Sequence, residues 1–169
     1  MPPGAPFRSF ALPYPIRVDE FADTRDTDND IPSNAKFHLL THTHSDHLVG
    51  LQAKSFAQKV RCSEDAKQML LRIEQYQERS LRDKGYRSQP TRTYKHLEVE
   101  PVCDPAGNCL NPGQARSLLE TCKVNSPFEV EYAEGRKVMI TAIDANHCPG
   151  SVMCVPSSEI YTFSSDHLS

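Results

Sequence analysis

Residues 40–51 read LTHTHSDHLVGL and place His42, His44, Asp46 and His47 within six positions. Ahead of them, KFHLLTH (36–42) is a candidate buried strand. Phe37, Leu39 and Thr41 are expected on one face and His38 and Leu40 on the other. The ligand-type residues begin where that strand ends, a place where metal sites are commonly built. His-x-His puts two imidazoles on one side of an extended segment, and the Asp-His pair can turn toward a neighbouring point. The set suits two metal ions side by side, with nitrogen and carboxylate ligands. Such ions, about 3.5–4 Å apart, stabilise both the attacking and the leaving oxygen of a displacement. The plain alternative is a histidine-rich surface turn. Chance produces such a string on the order of 10⁻³ times in a chain of this length and histidine content, and the strand-end position also argues for ligands.

The rest of the chain organises around this run. IRV before Asp19 reads as a short strand, and Asp19 is either a strand-end turn residue or a carboxylate orienting a metal-bound imidazole. DTRDTDND (23–30) is an acidic surface loop. QKVRCS (58–63) is another strand, with Ser63 an N-cap and Glu64 and Asp65 in a first helical turn. Ala66, Met69, Leu70, Ile73, Tyr76 and Leu81 recur at helical spacing, predicting one helix over 64–84 that Gly85 ends. Residues 101–127 read mainly as loop, with a brief helical turn near 114–122. FEVEYAEGRKVMITAID (128–144) predicts a hairpin that turns at Glu134-Gly135. His147 follows it, beside the turn signal Cys148-Pro149-Gly150. Alone, such a histidine is as readily structural as a ligand.

From 79 to 95, Arg79, Arg82, Lys84, Arg87, Arg92 and Lys95 face one acid, Asp83. They form either a solvated helix face with its exit loop or a rim contacting phosphates. The 169 residues suffice for one domain, but the apolar fraction of 38%, with 13 prolines and no tryptophan, predicts a thin core. A net charge of −3 leaves any attraction for a polyanion to a local patch or a metal. The six cysteines, spaced irregularly, are expected as buried reduced thiols rather than a structural zinc set. Neither a signal peptide nor a membrane span is expected.

THTHSDHLVGL together with DANHCPGSVM (144–153) resembles the metallo-β-lactamase superfamily, and within it the β-CASP DNA-repair nucleases of the Artemis, Apollo and Pso type. PIRVDEF (15–21) is similar to that family's first motif, and residues 62–101 look like the long insert of its fungal members. The resemblance implies an α/β fold, the N-terminal part of an αββα sandwich and incomplete. It divides the chain into a Pro-rich arm (1–14), a partial metallo-β-lactamase domain (15–153) and an atypical tail (154–169). It implies one zinc on His42, His44 and His147, a second on Asp46 and His47, and Asp19 supporting the site. Asp46 and His47 would be catalytic. The implied reaction is phosphodiester hydrolysis by a zinc-bound hydroxide, as a 5′-exonuclease or structure-selective endonuclease. DNA with a 5′-phosphate end is the implied substrate, in crosslink or double-strand-break repair in the nucleus, with repair or telomere proteins as partners.

The sequence departs from the family after Met153. The family's Tyr-Thr-Gly-Asp, whose aspartate bridges the metals, is replaced by Tyr161-Thr162-Phe163. Asp166 comes two positions late, and His167 reads as incidental. The tail is therefore expected to reflect a truncation or an altered reading frame, with weak binding of one or two zinc ions and marginal folding. Two alternatives stand beside the nuclease: another metallo-hydrolase acting on a thioester, lactone or RNA, and a catalytically inactive fragment.

Overall fold

The computed structural model describes residues 14–22, 35, 37–111 and 113–161. The arm up to residue 13, the acidic loop, Asp166 and His167 lie outside them. In chain order the elements are β1 (Ile16–Val18), β2 (Phe37–Leu39), β3 (Val60–Ser63), α1 (Glu64–Leu70), α2 (Tyr76–Asp83), β4 (Glu98–Val99), β5 (Arg116–Ser117), β6 (Leu119–Cys122), β7 (Pro127–Ala133), β8 (Arg136–Asp144) and β9 (Val152–Tyr161). A parallel sheet runs β1-β2-β3-β6, and an antiparallel sheet runs β7-β8-β9. β9 crosses the boundary expected at Met153 and pairs with β8 along its length.

Alternation decides which side each strand covers. Leu40, Val60, Cys62 and Leu119 turn toward α1, packing on Ala66, Leu70, Leu97, Phe21 and Phe56. Ile16 and Leu39 turn the other way, onto Val130, Tyr132, Val138 and Ile140 of the hairpin. Arg61 also points that way, its guanidinium over Phe37 and Phe128 and hydrogen-bonded to Glu120 at 2.7 Å. The layers are helix, sheet, sheet. Ile143, Met153 and Val155 remain exposed on the outward face of β8 and β9. This is an incomplete αββα sandwich. Among the described residues no helix is long and apolar enough to cross a membrane.

Three local expectations are overturned in whole or in part. The helix over 64–84 is broken after Leu70. Ile73 packs partly against the core, its carbonyl accepts the Thr93 N–H at 3.1 Å, and Glu74 bridges to Arg92. Those tertiary bonds outweigh continued helix, and α2 resumes with no buried residue. Gly85, at φ 78, does end it, with Gly85 and Tyr86 N–H groups on the Arg82 and Leu81 carbonyls. The helical turn near 114–122 is instead β5 and β6. Leu118, Leu119 and Cys122 have spacing that suits either state, and β3 takes the segment as its parallel neighbour. The cysteines also divide: Cys62 and Cys122 are buried and Cys148 and Cys154 half-buried, but Cys103 and Cys109 are exposed. They stand on a loop that no layer covers.

His38 faces the α1 side, 5.8 Å from the Phe21 ring and 5.6 Å from Phe56. Burial first, and the Arg17 charge second, push its pKa from 6.5 down to about 4. The unfolded chain therefore binds this proton more readily than the folded one. The resulting stability is complete above about pH 6.5 and lost as pH falls toward 4. The loss is about 3 kcal/mol. Urea midpoints at pH 7 and 4.5 should show it, and His38→Leu should remove that part of the slope. A variant with the parental slope would refute the assignment.

Candidate metal centre

Asp19 ends β1 with φ 55, a left-handed turn in which its N–H still bonds the Leu39 carbonyl at 2.9 Å. The turn aims its buried carboxylate across the end of β2. Oδ1 accepts the Thr41 N–H at 2.7 Å, and Oδ2 accepts the Thr41 hydroxyl at 2.5 Å. Oδ2 also lies 2.8 Å from His47 Nδ1. A carboxylate only accepts, so His47 Nδ1 carries the proton and Nε2 presents a lone pair. The Thr41 hydroxyl, having donated to Asp19, accepts from His42 Nδ1 at 2.8 Å. His42 Nε2 is thereby also left bare. One carboxylate fixes two tautomers, the arrangement that prepares imidazoles as ligands.

Ser45–His47 form a single 3-10 turn that swings His47 back toward His42, ring centroids 4.0 Å apart. His42 is buried, and its pKa is lowered, chiefly by burial and then by His47, with Asp19 opposing. It is neutral at pH 7, as a ligand must be.

His147 arrives from the far end of the chain on a tightly held loop. The buried Ser151 hydroxyl accepts the His147 and Cys148 N–H groups at 3.2 and 3.1 Å. The Val152 N–H bonds the Thr41 carbonyl at 2.9 Å, and the Ser63 hydroxyl donates to the Gly150 carbonyl at 2.6 Å. Ser63 also caps α1 by accepting the Ala66 N–H, so the helix start and the His147 loop share one hydroxyl. Gly150, at φ 75, is required here: a Cβ would lie 2.7 Å from Ala66 N.

The result is two adjoining groups. His42, His44 and His147 offer ligand atoms within 4.8 Å of one another, as do Asp19, His42 and His47. Nitrogens around a tetrahedral ion with bonds of about 2.0–2.1 Å lie about 3.3–3.4 Å apart. His44 Nδ1 and His147 Nε2 are 3.3 Å apart. The donor set therefore fits a metal ion. Asp46 belongs to neither group; it is 71% exposed, with Oδ2 3.4 Å from His47 Nε2.

The basic segment is not drawn into this centre. Arg79, Arg82 and Arg87 pair with Asp83, Glu74 and Glu78. Lys84, Arg92 and Lys95 have no ion-pair partner among the described residues. A cavity of about 430 Å³ lined by Arg17, Phe21, His38 and Phe56 also lies apart from the histidine ligands. Thr41 and Ser151 escaped sequence reasoning as site residues. The only signal was position, each sitting beside or within a ligand motif.

Fold and centre together define an incomplete αββα chain with a histidine cluster able to hold a metal ion. No protein-family model matches it. Over 142 residues, 82% of the chain, it is 29% identical to 5′ exonuclease Apollo of Gallus gallus. The chain spans about a fifth of the length of that curated relative, 20%.

Proposed function

We propose that the chain is part of a zinc-dependent DNA nuclease of the metallo-β-lactamase β-CASP group, acting in nuclear DNA repair. The observation that carries this is the meeting of His44 and His147 across 103 residues at a separation suited to one ion. The likeness to a 5′ exonuclease supports a nucleic-acid substrate. His42, His44 and His147 hold one zinc, and Asp46 and His47 contribute to a second. Zinc, when bound, supplies the Lewis acidity that activates water and offsets charge on a phosphoryl oxygen. Asp19 and Thr41 hold the imidazole tautomers. Within the basic segment 79–95, Lys84, Arg92 and Lys95, with no ion pair among the described residues, are the cations available to DNA phosphates. The substrate is DNA with a 5′-phosphate end, cut as exonuclease or structure-selective endonuclease.

The test is the zinc-loaded chain on 5′-phosphorylated single-stranded DNA, beside RNA, thioester and lactone substrates. DNA cleavage that His42→Ala abolishes is the expected result. Ester turnover without DNA cleavage overturns it. Zinc binding without any turnover would favour a second reading, a metal-binding segment without catalysis. Two features favour that reading: the uncovered face at Ile143, Met153 and Val155, and the two ligand groups, which share His42 and no carboxylate among the described residues.

Asp19→Asn should weaken zinc binding about 10–100-fold, because the amide nitrogen cannot accept and must face either the Thr41 N–H or the Thr41 hydroxyl and His47 Nδ1. Competition against a chromophoric chelator measures this, and unchanged affinity would remove Asp19 from the role.

A further inference from the structure

Cys103 and Cys109 oppose each other in an isolated antiparallel bridge on the exposed loop between β4 and β5. The Leu110 N–H bonds the Val102 carbonyl at 2.6 Å, and the Asp104 N–H bonds the Asn108 carbonyl at 2.9 Å. Both ladder bonds thus flank the cysteine pair rather than joining it. In such a non-hydrogen-bonded pair the Cα atoms are about 4.5 Å apart and the side chains stand closest. That lies within the range of about 4.4–6.8 Å that a disulfide spans. The loop is pinned in this register. The Asp104 carboxylate accepts the Ala106 and Asn108 N–H groups and the Asn108 side-chain amide, and Asn111 bonds Val102 and Glu100.

We propose that Cys103 and Cys109 form a reversible cross-strand disulfide by exchange with glutathione disulfide. One cysteine thiolate attacks a glutathione sulfur, that S–S bond breaks, and the first glutathione leaves as a thiolate. The second cysteine thiolate then attacks the protein sulfur of the mixed disulfide and expels the second glutathione. Two electrons and two protons pass from the cysteine pair to the oxidant, giving two glutathione thiols. Selectivity follows from exposure. Burial pushes the Cys62 and Cys154 thiols to about 12 and raises Cys122, holding them as unreactive thiols.

The chain is equilibrated in reduced and oxidised glutathione at set ratios, acid-quenched, unfolded in denaturant, alkylated and weighed. The expected product is a monomer about 2 Da lighter before alkylation. Four of its six cysteines react, and the deficit lies in the tryptic peptide 96–116. Cys103→Ser should leave only a glutathione adduct on Cys109. Asp104→Ala, which unpins the loop, should shift the midpoint several-fold toward easier reduction. Six reactive thiols at every ratio, two persistent glutathione adducts, or a disulfide-linked dimer as the main product would overturn the proposal. An unmoved midpoint in Asp104→Ala would refute a pairing set by the loop register.

Discussion

Replacing His147 with alanine is expected to lower zinc affinity by more than about 100-fold. Even residues that only orient a ligand are worth about 10–100-fold, and His147 supplies one of three converging nitrogens. The fold should survive, because the loop is held by the backbone of residues 147, 148 and 152 and by Ser151, not by the imidazole. Equilibrium dialysis at neutral pH reads the affinity, and circular dichroism reads the fold. Parental zinc uptake by His147→Ala would mean that the cluster does not hold the ion.

Gly50→Ala should be the most damaging small substitution. Gly50 sits at φ 90, and a Cβ there would overlap the backbone of Phe21 and Ala22. That backbone is the exit from Asp19, tied back by the Phe21 N–H on the Val49 carbonyl. Left-handed strain and overpacking together should cost about 3–5 kcal/mol, a large part of a typical total of about 5–15 kcal/mol. Gly85→Ala is the control. It has a similar φ of 78 but open space around it, so strain alone should cost about 1–2 kcal/mol. Equal urea midpoints for the two variants would refute the close approach at residue 50.

The sequence made some features legible and left others dark for physical reasons. The hairpin was readable because Phe128, Val130 and Tyr132 alternate strictly with glutamates over a long run, and Gly135 takes the positive φ of its turn. The faces of β2 were readable because successive side chains on any strand point to opposite sides. β6 was not, since four residues cannot separate a period of two from one of 3.6. The helix break at 71–75 depends on Thr93 and Arg92, which no local pattern announces. Around the centre, histidines declare themselves by residue type, and His42, His44, His47 and His147 are brought together. Thr41 and Ser151 act through hydroxyls whose importance arises only from which backbone they meet. Asp46 is largely exposed and joins neither ligand group, although its Oδ2 lies 3.4 Å from His47 Nε2.

The Val152 N–H to Thr41 carbonyl bond has a consequence for the order in which the protein matures. It closes a loop of about a hundred residues, an ordering cost of about 4 kcal/mol before constants. Sheet formation meets that cost, so an arriving ion does not. A metal ion held by the whole cluster could therefore be captured only once the ribosome has released β9. A nascent chain that stops short of it carries the histidines of LTHTHSDHLVGL without the partner that makes them a trap.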